Sequence, residues 1–251
     1  MGGKFARMND PSIRLYVTSP LSAGAELAAS AAQSHYLAAV MRRSAGDTLR
    51  LFNGKDGEWA ARITAVARKL VHLQAYARTR EQDTDPDCWL CFALLKRQKT
   101  DLVVEKATEL GASVIQPLIT ERTQADHVNL ERLRAIAIEA AEQCERLAVP
   151  EIRQPLKLPA LLAAWPSERQ LFIADERRTG PGLRPITGAL QPIALMTGPE
   201  GGWTLSELDA IGSHPLVSRC SRVSLGTRIL RAETAAIAGL ALLLAAAPSQ
   251  E

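Results

Sequence analysis

Apolar and polar positions follow one pattern in the first third of the chain and another beyond it. Val71-His-Leu-Gln-Ala-Tyr76 alternates apolar with polar side chains, as a half-buried strand does. Arg14-Leu-Tyr-Val17, Asp47–Phe52 and Glu58–Ile63 are further strand candidates. Asn53-Gly54 and Asp56-Gly57, both strong turn pairs, separate the last two. Ser34–Met41 reads as a short helix that ends in Arg42 and Arg43. Short strands with one small helix predict a small β-barrel over residues 1–80.

The polar, Asp-rich stretch from Arg78 to Asp87 reads as a linker. Beyond it buried strands alternate with helices, which predicts an α/β domain over 81–251 with a parallel sheet. The strands are Cys88–Leu95, Val114–Ile119, Leu171–Ala174, Ile193–Met196 and one within Val217–Leu225. Pro117 has no N–H to donate, so its strand is expected at an edge or a bulge. Thr100 is the expected N-cap of the first helix, and Gly111 lies just past its end. A longer helix starts near Asn129 with Leu130, Leu133, Ile136, Ala140, Cys144 and Leu147 on one stripe. Thr204-Leu-Ser-Glu207 has the capping-box spacing, and an Ala-rich helix begins near Ala232.

The apolar run Ala235–Ala247 suits a buried helix rather than a membrane span, and the residues up to Pro11 hold no apolar leader. A cytoplasmic protein is therefore expected. Cys88 and Cys91 form a C-x-x-C, but on a strand residues three apart point to opposite faces, so no metal or redox pair is expected. Charge is uneven. Residues 1–80 hold 12 Lys/Arg against 5 Asp/Glu, while the rest holds 18 against 22. A basic first third fits contact with a polyanion, and equally a solvated basic face.

Two stretches carry candidate chemistry. Gly198-Pro-Glu-Gly-Gly202 follows a buried strand and precedes a capped helix, the place where open α/β sheets bind ligands through exposed backbone. It lacks the Gly-Lys-Ser/Thr of a P-loop, and neither G-x-G-x-x-G nor G-x-S-x-G occurs in the chain. In Leu225–Ala236, Arg231 stands at the start of a helix, where it opposes the macrodipole, with Glu233 and Thr234 beside it. An anion-gripping guanidinium and a simple pair of Arg231 or Arg228 with Glu233 both fit. Glu142 and Arg146 have helix-pair spacing, and Lys96, Arg97 and Lys99 form a basic patch after the first α/β strand.

Four ordered motifs carry a family resemblance. They are Glu105-Lys-Ala-Thr-Glu-Leu-Gly111, Glu142-Gln-Cys144 with Arg146 and Val149-Pro-Glu-Ile152, Gly198–Gly202, and Leu225-Gly through Arg231-Ala-Glu-Thr234. With Arg14, His35, Val40-Met-Arg42, Gly46-Asp47 and Phe52-Asn-Gly54 they make nearly the whole chain resemble the RsmE family of small-subunit ribosomal RNA uridine N3-methyltransferases. Departures are Leu133, where the family often carries Trp, and Glu145, where a small residue is common.

The resemblance implies a SPOUT-type domain with a deep trefoil knot, a PUA-like RNA-binding barrel, a homodimer, S-adenosylmethionine as cofactor and no metal. The substrate implied is 16S rRNA, in the assembled small subunit. Cofactor contacts are expected at Leu195, Met196, Thr197, Gly198, Pro199, Glu200, Gly201, Gly202, Leu225, Gly226, Ile229 and Leu230. Arg231, Glu233 and Thr234 are expected to be catalytic. RNA contacts are expected at Arg14, Arg42, Arg43, Lys96, Lys99, Gln143 and Arg146. A non-catalytic RNA-binding module, or an enzyme of the same fold acting on another RNA, remains the alternative.

Overall fold

The computed structural model describes residues 13–67, 70–125, 127–178, 180–185 and 191–245. The first residues, up to Pro11, and the last two positions of the Ala235–Ala247 run lie outside them. The chain divides into two compact units, residues 1–83 and 84–251.

In the first unit β1 (Arg14–Tyr16), β2 (Glu26–Ala28), β3 (Thr48–Phe52), β4 (Glu58–Ala67) and β5 (Leu70–Arg80) form one sheet in the order β1-β3-β4-β5-β2. β1 runs parallel to β3 and the other pairs are antiparallel. Between β2 and β3 come α1 (Ala31–His35), which Ser30 and Gln33 cap reciprocally, and a turn of π-helix at Tyr36–Val40. The alternation is obeyed: Val71, Leu73 and Ala75 are buried in a core with Leu15, Leu37, Leu49, Leu51 and Ile63. Each large member contributes about 2 kcal/mol by leaving water. The Asn53–Gly57 turn forms as expected, and Gly57 is needed there: its φ is +81° and a Cβ would sit 2.2 Å from the Arg80 carbonyl.

β5 runs to Arg80, so the linker is shorter than its polar composition implied. Arg14 is also placed differently from expectation. Its side chain is buried, donates from Nε to Glu58 Oε2 at 2.7 Å and lies over the Phe52 ring. Glu58, fully buried, also accepts from Thr79 Oγ1 at 3.0 Å. A buried carboxylate needs such partners. Arg14 is therefore a structural counter-charge, not an RNA-facing side chain.

The second unit comprises β6 (Cys88–Ala93), α2 (Arg97–Glu109), β7 (Val114–Ile119), α3 (Leu130–Gln143), β8 (Glu151–Ile152), β9 (Leu156–Lys157), α4 (Leu158–Ala163), β10 (Gln170–Ala174), β11 (Ile193–Thr197), α5 (Leu205–Ser213), β12 (Cys220–Val223) and α6 (Ala232–Leu244). Its sheet is parallel throughout, in the order β12-β10-β11-β6-β7-β8, with β9 also on β7. One face packs against α2, α3 and α6 through Val103, Val104, Leu133, Ala137, Ala236 and Leu240. The other packs against α4 and α5 through Leu161, Leu162, Leu208 and Ile211. Cys88 belongs to the first face and Cys91 to the second. Burial pushes each thiol up to about 12.

Four local expectations change. Lys96, not Thr100, is the N-cap of α2; the Thr100 hydroxyl is spent on the Leu95 carbonyl at 2.9 Å. β7 is not an edge strand, but only two-residue strands cover its outer side, and Pro117 falls in the gap between them. Gln116 closes that gap by donating to the Pro117 and Gln154 carbonyls. α3 stops at Gln143, so Cys144 leaves the stripe and is exposed. Glu145 then takes φ +62° and reverses the chain, which carries Arg146 inward instead of along a helix with Glu142.

Candidate functional site

β10, β11 and β12 are neighbours in the sheet and end side by side. The segments that leave them, Asp175–Arg178, Gly198–Gly202 and Ser224–Arg231, enclose a cavity of about 470 Å³ with the first turns of α2 and α6. That is within the size range of small-molecule sites, at the strand ends where such sites form.

The Gly198–Gly202 loop is braced on every side. Trp203, fully buried, donates from Nε1 to the Ala174 carbonyl at 3.1 Å, and a Cβ on Gly198 would stand 3.1 Å from its indole. Gly202 has φ +70° and closes a turn on the Pro199 carbonyl at 2.9 Å. Thr204 and Glu207 form the expected capping box, which fixes the start of α5. Glu207 also accepts from the Glu121 backbone N–H at 2.8 Å, and the adjacent Arg122 donates to the Gly201 carbonyl at 2.7 Å.

The segment after β10 ties the other loops together. Arg177 donates to Asp175 Oδ1 and, from Nη2, to the Trp203 carbonyl at 2.9 Å. Arg178, held at φ +58°, donates to the Thr227 carbonyl at 2.6 Å. On the opposite flank Lys99 Nζ lies 3.3 Å from Glu200 Oε1 and 3.2 Å from Glu233 Oε2. The carboxylates of Glu233 and then Glu200 hold its ammonium above the usual lysine range. Arg231 is the N-cap residue of α6; it is exposed, with extended backbone, and lines the cavity.

Of the expected cofactor residues, Thr197, Gly198, Pro199, Glu200, Gly201, Gly202, Leu225, Ile229 and Leu230 line this cavity. Leu195 and Met196 do not: both are fully buried, one on each face of the sheet. Gly226 is exposed off the cavity wall at φ +123°. Glu233 reaches the site through Lys99, and Thr234 is exposed on the same turn of α6. Lys99 itself faces the cavity, while Lys96 is exposed at the start of α2 and Gln143 at the end of α3. Arg42, at φ +52°, is exposed after the π-helical turn, and Arg43 beside it is half-buried.

Arg146 is the plainest correction. It is buried and donates to Asp85 Oδ2 at 2.7 and 2.9 Å and to the Thr108 and Ala112 carbonyls at 2.8 Å each. It fastens the start of the unit to the end of α2. Sequence reasoning in turn missed Asp175, Glu176, Arg178 and Arg122. The one signal for the first three is four charged residues directly after a buried strand.

Comparison with known proteins agrees with this architecture. A family model described as an RNA methyltransferase domain matches residues 83–244, and one described as an RNA methyltransferase PUA domain matches residues 30–76. Ribosomal RNA small subunit methyltransferase E of Rickettsia conorii is 35% identical over 231 residues, 91% of this chain and 93% of its own length. The protein of the same description from Synechocystis is 34% identical over 91% of this chain and 76% of its own. Among solved structures, a Legionella pneumophila methyltransferase in complex with SAM has a TM-score of 0.80 at 31% identity, covering 93% of this chain and 97% of that one. Ribosomal RNA small subunit methyltransferase E of Neisseria gonorrhoeae, bound to S-adenosyl methionine, has a TM-score of 0.77 at 30% identity, covering 91% and 95%.

Fold and site together define an RNA methyltransferase with a PUA domain. Within that class the chain belongs to the ribosomal RNA small subunit methyltransferase E family.

Proposed function

We propose that this protein transfers a methyl group from S-adenosylmethionine to N3 of a uridine in 16S rRNA. The observation that carries the reading is the meeting of Gly198–Gly202 and Leu225–Arg231 around one cavity. The cavity fits the cofactor. Its Gly-rich loop admits close backbone approach, Leu225, Leu230 and Ala235 offer apolar surface to an adenine, and Glu176 and Glu200 offer carboxylates to its cationic end.

When bound, the cofactor supplies an electrophilic methyl group on sulfur. The residues of the chain align the two reactants and exclude water between them. Arg231 opposes the negative charge that develops on the uracil ring as N3 loses its proton. Glu233 and Thr234, on the same turn, orient the base. Because N3 lies on the pairing edge, the nucleotide enters unpaired.

The same reading assigns residues 1–80 to a PUA-like barrel that grips RNA through Arg42 and Arg43, and 81–251 to a SPOUT-type domain with a trefoil knot. Support for the knot comes from the segment around Gly182, which hydrogen-bonds to Ser224 on both sides while α6 packs against β11. A homodimer accounts for the exposed Ile229 and Leu242, and the assembled small subunit in the cytoplasm is the substrate.

The test is methylation of small subunits from a strain lacking this modification, with the labelled base mapped. Label at one uridine N3, lost with Arg231→Ala, is expected. Label on another base, or full activity of Arg231→Ala with normal RNA affinity, would refute the assignment.

A further inference from the structure

The cavity wall carries its charge unevenly. On one flank of the Gly198–Gly202 loop, Lys99 is shared between Glu200 and Glu233 at 3.3 and 3.2 Å. On the other, Arg177 Nη1 is shared between Asp175 Oδ1 at 3.2 Å and Glu176 Oε1 at 3.4 Å. Glu176 stands close to the loop: a Cβ on Gly202 would lie 2.5 Å from its Oε1. Each cluster thus sets two carboxylates against one cation and retains a net negative charge.

Two further facts bear on that surplus. The Asp175 side chain is wholly buried, and its Oδ2 has no hydrogen-bond partner among the described residues, so folding leaves part of this charge uncompensated. The other cations of the wall, Arg178, Arg228 and Arg231, are exposed, as is Glu200, so water and salt screen them, whereas Asp175 and Glu233, with side chains 0% and 12% exposed, are screened least. In a cavity of about 470 Å³ a bound ligand lies close to both clusters.

We propose that the clusters Lys99–Glu200–Glu233 and Asp175–Glu176–Arg177 make this cavity select the sulfonium form of its cofactor over the thioether left after transfer. The inference rests on the reading of the site as a cofactor cavity. Methyl transfer breaks a carbon–sulfur bond and leaves the electron pair on sulfur, while the proton of N3 passes to solvent. The sulfur thereby changes from cationic to neutral, and the attraction of the wall for it ends. Product departure is thus favoured by the charge pattern that retains the substrate form.

The experiment is calorimetric titration with S-adenosylmethionine, S-adenosylhomocysteine and sinefungin, which carries an ammonium group in place of the sulfonium. The full-length protein is compared with Glu176→Gln, Glu200→Gln and Lys99→Met, each checked for an unchanged thermal transition. Neutralising either carboxylate should lower the preference for the cationic ligands about 3- to 10-fold, with thioether affinity little changed. Lys99→Met should raise that preference. Equal losses for all three ligands in every variant would make the clusters mere braces and overturn the proposal; the Gln variants decide this even if Lys99→Met fails to fold. Failure of the unaltered protein to bind any of the ligands would overturn the cofactor reading itself, a result distinct from an unchanged preference.

Discussion

Replacing Arg146 with Met separates two accounts of a residue that resembles part of an RNA-binding motif. In the structure its guanidinium makes two bonds to Asp85 Oδ2 and one each to the carbonyls of Thr108 and Ala112. Met keeps the apolar stem and removes all four donors. Two carbonyls at the end of α2 lose a charged partner, and Asp85 loses its counter-ion. Asp85 retains 24% side-chain exposure, so water recovers part of that loss. Hydrogen bonds to charged groups and broken buried pairs together give a destabilisation of about 3 kcal/mol. For a chain of this size that is a fall of about 6–12 °C in the melting temperature. Differential scanning calorimetry reads the shift, and a filter-binding assay with small-subunit RNA provides the contrast. An unaltered transition with weakened RNA binding would refute the reasoning, because the guanidinium would then face the substrate.

Other consequences are as direct. Gly198→Ala places a methyl 3.1 Å from the rigid, buried Trp203 indole, so it should cost about 1–3 kcal/mol and weaken S-adenosylhomocysteine binding; thermal melting and titration check both. Arg42→Gly relieves a left-handed backbone after the π-helical turn, at φ +52° on an exposed residue, and should stabilise the protein by about 1 kcal/mol in urea unfolding. Cys88 and Cys91, with ordinary values near 9 and native values of about 12, ionise in the unfolded chain before they ionise in the native one. Their contribution to stability is therefore whole below pH 9 and declines between about 9 and 12. At pH 8 a thiol reagent should reach the exposed Cys144 well before either of them.

Local chemistry made much of the fold legible. The capping box at Thr204 and the alternation through Val71–Tyr76 both form, because each depends on neighbours within a few residues. The two halves of the site were legible for the same reason: glycines directly after a buried strand mark where backbone can approach a ligand. What stayed hidden depends on strand order. Glu176 meets Gly202 only because β10 lies beside β11, and no spacing encodes that neighbourhood. β2, β8 and β9 are too short to show a period. Arg146 was misplaced because one left-handed residue, Glu145, ends the helix where the apolar stripe had not. Lys99 reads as an RNA contact in a basic patch, with no sign of its carboxylate partners, since Glu200 and Glu233 lie more than a hundred residues away.

The position of β10 also dictates an order of assembly. It pairs with β11 and β12, both later in the chain, and the cavity needs Ala232 and Ala235 from α6. On a ribosome, β6, α2 and β7 are the first elements of this second unit to emerge and can pack together while the cofactor site still lacks most of its wall. At about 5–20 residues per second, several seconds separate the emergence of β7 from that of α6. Synthesis of nearly the whole chain must therefore finish before the protein can hold its methyl donor, and a nascent or truncated copy cannot occupy itself with cofactor.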